Sequence, residues 1–133
     1  MRKSVKVRKL IFEILLNIYK NNENYDKIFN KLTNNINLTD QERAMVYNIS
    51  LNSLRFNFFI KYILKLFLKK RTKLKIRILL LSAITQILYL DFKDYAVTND
   101  TVEIAKIKKL NSGLVNSVLK NIISKKNTLS LNE

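Results

Sequence analysis

Residues 95–123 read YAVTNDTVEIAKIKKLNSGLVNSVLKNII, and this stretch decides the fold. It contains two helical patterns separated by a break at 111–113, where the chain has its only glycine. Because the chain has no proline, this placement predicts that Gly113 takes a position at a helix end where a side chain would cost energy. The apolar residues after the break recur at helical spacing and predict a buried face. They are Leu114, Val115, Val118, Leu119, Ile122 and Ile123.

The segments TND-TVEIAK and G-LVNSVLK resemble the closing signature of the NusB-like family. In that family an Asn-Glu pair opens a Val-Glu-rich helix, and a Phe-Val-Asn segment opens the last helix. Asn99 and Asp100 correspond to the Asn-Glu pair. Val115 and Asn116 correspond to the Val-Asn, while Leu114 replaces the usual phenylalanine. The resemblance implies an all-α bundle that binds RNA.

Two branches of the family share this signature. One is the transcription antitermination factor, and the other is the N-terminal domain of the Sun/Fmu-type ribosomal RNA cytosine-C5 methyltransferases. Gly113, Lys120 and the glutamine at Gln86 are more similar to the methyltransferase branch. The catalytic domain of such an enzyme would need a cofactor-binding loop and a cysteine, and this sequence contains neither.

The resemblance also implies where RNA binds. The family keeps RNA contacts at the start of its first helix, and the chain has a basic block there. Together with the surface beside the break, this predicts RNA-binding residues at Arg2, Lys3, Lys6, Arg8, Lys9, Lys109, Asn111, Ser112, Gly113 and Leu114. The alternative is that the basic N-terminus is only a solvated surface.

The charge distribution independently predicts a polyanionic partner. The formal net charge is +15, and ten basic residues lie between Arg43 and Arg77, with no acidic residue between Arg43 and Asp91. Such a surface attracts nucleic acid by default, with an anionic membrane or an acidic protein as alternatives. Part of the charge reflects composition, because 19 of the 25 basic residues are lysine and 17 residues are asparagine.

The residue types that are missing exclude several kinds of chemistry. Without histidine and cysteine there can be no disulfide, no thiolate zinc site and no Ser-His or Cys-His nucleophile. A single glycine cannot form a nucleotide-binding glycine loop. Asp100 and Glu103 are spaced to share a metal, but a helix-start role is the preferred interpretation. We therefore expect no catalytic residue, no metal and no cofactor.

The rest of the chain reads as further helices. One apolar face in the first helix comprises Val7, Leu10, Ile11, Ile14, Leu15 and Ile18. A second helix presents Tyr25, Ile28, Phe29 and Leu32. Thr39 and Glu42 have capping-box spacing at the start of a third helix, whose predicted apolar face is Ala44, Tyr47, Leu51, Leu54 and Phe58. Residues 58–68 and 76–90 are apolar nearly all round and predict central helices, because neither run reaches the ~20 apolar residues of a membrane span.

These patterns together predict one all-α, NusB-like bundle of about seven helices over residues 1–124, followed by a polar tail at 125–133. The predicted function is that of a cytoplasmic, non-catalytic RNA-binding protein in ribosomal RNA transcription antitermination, processing or modification. Single-stranded ribosomal leader RNA or ribosomal RNA is the expected partner, together with a ribosomal protein or a methyltransferase domain. We expect no membrane association and no small-molecule substrate. The alternatives are the RNA-guiding domain of a methyltransferase, and a protein–protein adaptor whose charge is incidental.

Overall fold

The computed structural model describes residues 1–68 and 71–130. These residues form α-helices and connecting turns, as the all-α prediction requires. In chain order the helices are α1 (Lys3–Asn21), α2 (Tyr25–Thr33), α3 (Asp40–Arg55), α4 (Asn57–Phe67), α5 (Leu74–Leu88), α6 (Asp94–Ile107), α7 (Ser112–Ser124) and α8 (Lys126–Ser130).

Helix α5 is the centre of the bundle. It contacts α1, α3, α4, α6, α7 and α8, and every residue from Ile78 to Leu88 is buried. A helix that is apolar on all sides can be stable in water only when neighbours surround it, so this run specifies the middle of the fold. No described helix is long and apolar enough to span a bilayer.

Local signals correctly predict the end of α1 and the start of α3. The apolar stripe of α1 is buried, apart from the half-buried Ile18. Asn22 then adopts a left-handed conformation with φ of 53° and ends the helix. At the start of α3, the Thr39 hydroxyl accepts a hydrogen bond from the Glu42 amide, and the Glu42 carboxylate accepts one from the Thr39 amide. The predicted capping box is therefore confirmed.

The predicted buried face of α3 is largely wrong, although Leu54 is half-buried and packs against the core. Ala44 and Tyr47 are exposed, whereas Val46, Ile49 and two serines face the core. The hydroxyl of Ser50 donates to the Val46 carbonyl over 2.6 Å, and that of Ser53 donates to the Ile49 carbonyl over 2.7 Å. Serine is acceptable in a core once its hydroxyl is hydrogen-bonded. A pattern that counts only apolar residues therefore selects the wrong side of this helix.

Helix α4 also differs from the prediction. It buries one face, formed by Ile60, Ile63 and Leu64, while Phe58 and Tyr62 point outward. Phe58 belongs to α4 and not to the stripe of α3. The helix is apolar on both sides but packs on one, so it lies at the surface of the bundle and not at its centre.

The break between α6 and α7 has a different origin from the one predicted. Lys109 takes the left-handed conformation, with φ of 57°, and the amide of Leu110 donates to the Ala105 carbonyl over 2.8 Å. This is the hydrogen bond of a Schellman motif, which closes α6. Gly113 lies inside the first turn of α7, its φ is not positive, and Asn111 is the N-cap. The special position assigned to Gly113 is therefore wrong, and the chain turns at Lys109.

We accordingly expect Gly113→Ala to raise the free energy of unfolding by up to ~0.5–1 kcal/mol, since alanine loses less backbone entropy in a helix. A Cβ at this position would meet only the Asn111 side-chain oxygen, at an ordinary 3.6 Å. Lys109→Gly should also stabilise, by about 1 kcal/mol, because it removes the left-handed strain of a residue with a side chain. Urea unfolding curves measure both changes. A loss of stability in either variant would contradict this account of the break.

The segment expected to be a polar tail includes a further helix. Within it, α8 spans Lys126–Ser130, and Leu129 packs against the core. The ammonium of Lys126 bonds the Asp94 carboxylate over 2.9 Å, which ties α8 to the start of α6. The packing of Leu129 and the ion pair of Lys126 help to hold this segment, and neither stands out in a polar sequence. Residues 131–133 lie outside the described residues.

Candidate nucleic-acid interface

A buried arginine joins the first, fifth and sixth helices. The guanidinium of Arg8 on α1 donates to the Asp100 carboxylate on α6 over 2.7 Å and to the Gln86 side-chain oxygen on α5 over 2.7 Å. The side chains of Arg8 and Asp100 are 7% and 5% exposed. Gln86 is oriented by its own hydrogen bond to the Ser82 carbonyl. Since each polar group has a partner, the buried charges are compensated.

Arg2 extends this network to the surface. Its guanidinium donates to the second Asp100 oxygen over 3.0 Å, yet its side chain remains 63% exposed. An arginine has five donors in a planar fork, so one bond to Asp100 leaves most of them directed at solvent. The anchored guanidinium is therefore held in place while still able to bind a phosphate.

Arg2 lies at an open depression between α6 and α7. The depression is lined by Arg2, Asn99, Val102, Glu103, Lys106, Ser112, Gly113 and Asn116. Most of these side chains can donate or accept hydrogen bonds, and two are cationic. The fold thus brings the N-terminus next to the break between α6 and α7, two regions that lie about a hundred residues apart in the chain.

Three lysines of the N-terminal block lie on another side of α1. Lys3, Lys6 and Lys9 recur every three residues and share one face of the helix. With Glu13, Leu38 and Glu42 they line a groove between α1 and the turn that precedes α3. Lys3 and Lys6 are exposed, while Lys9 is half-buried and reaches Glu13 at 4.0 Å. Lys108 at the end of α6 also pairs with Glu13.

Glu42 carries a negative charge at the rim of this groove. Its pKa lies below the ordinary value, chiefly because its carboxylate accepts the hydrogen bond of the Thr39 amide. The neighbouring charge of Lys3 lowers that pKa further. Glu42 therefore stays ionised at neutral pH, and its negative charge offsets part of the positive potential of Lys3. This groove is less uniformly cationic than the sequence implies.

No metal site is evident in the part of the chain that the structure describes, since no group of three His, Cys, Asp or Glu residues comes together there. Asp100 and Glu103 do not form a pair open to a cation, because both Asp100 oxygens are bound by arginines. Asp100 also lies in the middle of α6, which begins at Asp94, so its predicted helix-start role is wrong.

A family model described as the NusB family matches residues 5–124. The chain belongs to the NusB family. The resemblance drawn from the sequence is thus confirmed, and it associates the chain with RNA, protein partners and transcription antitermination in general. The comparison with curated proteins found no match.

The NusB signature contributes to both the core and the surface. Asp100 forms the buried ion pair, whereas its neighbour Asn99 faces the depression. Asn116 faces the same depression from α7. Asn99, Lys106 and Asn116 were recognised as signature residues but were absent from the predicted RNA-binding set. Asn99 and Lys106 are seven residues apart and therefore share one face of α6, and this spacing could have identified them.

The structure divides the predicted RNA-binding residues of this NusB-family chain. Arg8 is a buried structural residue, so its prediction as an RNA contact is corrected. Leu114 is half-buried and packs against the core, so its side chain is also a poor candidate. The Asn111 oxygen accepts the Leu114 amide over 3.0 Å as the cap of α7. The remaining predicted positions line the depression between α6 and α7, line the groove beside α1, or lie exposed at the α6–α7 turn: Arg2, Lys3, Lys6, Lys9, Lys109, Ser112 and Gly113.

Proposed function

We propose that this NusB-family protein binds single-stranded ribosomal leader RNA or ribosomal RNA and performs no chemistry itself. Its proposed role is in ribosomal RNA transcription antitermination, or in processing and modification, in the cytoplasm. A ribosomal protein is a fitting second partner, and no small-molecule substrate is needed. The single observation that carries the proposal is Arg2, anchored on Asp100 beside the depression of Asn99, Lys106, Ser112 and Asn116.

Two kinds of side chain in this arrangement favour RNA as the ligand. Exposed cations attract phosphates without regard to sequence, and amide side chains in the depression can hydrogen-bond the edges of unpaired bases. Unpaired bases suit this role because the major groove of an A-form duplex is too deep and narrow for side chains to reach the base edges in it. Lys3 and Lys6 widen the attraction along α1, where both side chains are exposed.

The test is a salt titration with a lysine variant and a matched control. We expect Lys3→Gln, Lys6→Gln and Lys9→Gln together to weaken RNA binding and flatten the plot of log affinity against log salt by up to ~2 units, at ~0.7 per phosphate contact. The control replaces Lys20, Lys27 and Lys93, which are exposed elsewhere on the surface, with glutamine.

Fluorescence anisotropy with a labelled single-stranded ribosomal leader RNA and a scrambled RNA measures both variants. Equal slopes for the variant and its control would leave only diffuse charge attraction and would contradict the proposed surface. Equal affinity for the two RNAs would contradict the role of the amide side chains in the depression. Arg8 is left unchanged in this experiment because its replacement would disturb the core.

A second candidate role rests on Gln86. This residue matches the methyltransferase branch, and its side chain holds the buried Arg8. On this reading, the domain guides RNA to a Sun/Fmu-type catalytic domain. Methylation of ribosomal RNA by such a catalytic domain should then increase when this protein is added in trans. An unchanged rate would count against the second role.

A further inference from the structure

Helix α4 presents an apolar face to solvent that the fold does not use. Phe58 is 82% exposed and Tyr62 is 63% exposed, and Phe59 and Leu66 are exposed beside them. The opposite face of the same helix supplies Ile60, Ile63 and Leu64 to the core. Solvent-exposed aromatic residues that cluster on one face are typical of a binding surface.

The spacing of the two most exposed rings of α4 matches the geometry of stacked bases. Phe58 and Tyr62 are four residues apart, so they lie on the same side of α4 with a rise of about 6 Å between them. Bases in a stacked strand lie about 3.4 Å apart, and a planar ring held between two others needs about twice that separation. The rings of Phe58 and Phe59 meet edge to face, at 86° and 6.5 Å, and so do not stack on each other.

A row of lysines borders the aromatic row. Lys61 and Lys65 are both exposed and line the apolar groove that contains Phe58, Tyr62 and Leu66. Both lysine side chains share this groove with the exposed rings, while the Lys61 ammonium also lies 5.8 Å above the ring of Tyr19, which lines the neighbouring cleft. The cations therefore lie within reach of anything that contacts the aromatic side chains.

The same two lysines also line a cleft on the other side of α4. Arg71 and Arg77 complete its cationic rim, and Ile60, Leu64, Leu68, Leu74, Ile78 and Leu81 form much of its apolar lining. Among the described residues that line this cleft, none is acidic. The positive rim favours an anionic ligand, and a phosphate chain along Lys61 and Lys65 would be attracted from both sides of α4.

We propose that the outer face of α4 binds single-stranded nucleic acid, with bases stacked on Phe58 and Tyr62, phosphates along Lys61 and Lys65, and Arg71 and Arg77 adding to the positive potential from the neighbouring cleft. Aromatic rings beside a track of cations are the two features that single-strand binding requires. A duplex would not fit, because its bases already stack on one another. The inference rests on the proposed RNA function and adds a second contact surface, separate from the depression between α6 and α7.

The test pairs an aromatic variant with a matched control. We expect Phe58→Ala with Tyr62→Ala to weaken binding of an unstructured single-stranded RNA by at least about fivefold, the lower limit for loss of one stacked base. Both side chains are mostly solvated, so circular dichroism should show an unchanged fold. The control is Tyr95→Ala, which removes an aromatic ring that is 66% exposed on α6.

Polyphosphate, a polyanion without bases, separates stacking from charge. The aromatic variant should bind polyphosphate as the wild type does. Lys61→Gln with Lys65→Gln should instead weaken the binding of both ligands and flatten the plot of log RNA affinity against log salt by up to ~1.4 units. Equal losses for RNA and polyphosphate in the aromatic variant, or RNA binding equal to that of the Tyr95 variant, would overturn the proposal. So would a loss of binding to anionic phospholipid vesicles with RNA binding intact.

The two RNA surfaces can fail separately. If the variant of Lys3, Lys6 and Lys9 weakens RNA binding while the aromatic variant of α4 does not, the surface on α4 is refuted and the proposed function stands. If only the aromatic variant has an effect, the inference stands and the N-terminal surface is refuted. Photocrosslinking to RNA, followed by peptide mapping, should place a crosslink within residues 57–67, and its absence there would overturn the inference.

Discussion

Replacing Asp100 with alanine is expected to lower the free energy of unfolding by about 3–5 kcal/mol, the usual cost of removing one partner from a buried ion pair. The substitution would leave the Arg8 guanidinium charged, 7% exposed and without its carboxylate. Gln86 would still accept one of its hydrogen bonds but cannot neutralise the charge. Since whole domains are stable by only ~5–15 kcal/mol, this single change should be readily visible in a urea or thermal unfolding curve.

Two controls separate this effect from an ordinary surface change. Glu103→Ala removes a carboxylate from the exposed side of α6 and should alter stability by less than ~0.5 kcal/mol. Arg8→Met combined with Asp100→Leu should recover most of the loss, because an apolar pair removes the unpaired charge. If Asp100→Ala were as stable as Glu103→Ala, the ion pair would contribute nothing to holding α1 against α6.

This ion pair also marks the limit of what the sequence could reveal. Arg8 and Asp100 are 92 residues apart, and no local pattern connects positions so distant. Arg8 lies in a basic block, so an exposed role was the natural interpretation. Its burial depends on α6 bringing a carboxylate to the same place. The family signature identified Asp100 as important, but only the packed structure assigns it to the core.

Local signals were reliable where one interaction decides the outcome. The capping box needs only Thr39 and Glu42, and the central helix needs only a long, predominantly apolar run. The family signature correctly predicted the helices on either side of the break. The α6–α7 turn was misread because a lone glycine is a strong local cue, whereas a lysine in the left-handed conformation gives no signal in the sequence.

The sequence did not predict the exposed face of α4, for a related reason. Its run of apolar residues predicted burial, but the bundle covers only one side of that helix. Whether a second apolar face is buried depends on how many neighbours the helix has, which periodicity does not determine. Once α5 occupies the centre, α4 lies outside it, and Phe58 and Tyr62 remain exposed to solvent.

Leu119→Asp is expected to abolish the cooperative fold and not merely weaken RNA binding. Leu119 is fully buried on α7, the helix that packs against α5, α6 and α8. A carboxylate introduced there loses its hydration without gaining a partner and costs several kcal/mol, in addition to the lost apolar contacts of ~2–5 kcal/mol. The sum is comparable with the whole stability of a domain.

Circular dichroism during thermal unfolding measures this loss, and Ser117→Asp is the matched control. Ser117 is exposed on the same helix, so the control introduces the same charge two residues away without burying it. The control should keep a sharp unfolding transition near that of the wild type. A Leu119→Asp protein with an equally sharp transition would show that α7 is not part of the core. The depression beside Ser112 and Asn116 would then lack a rigid support, because α7 is the helix that positions both residues.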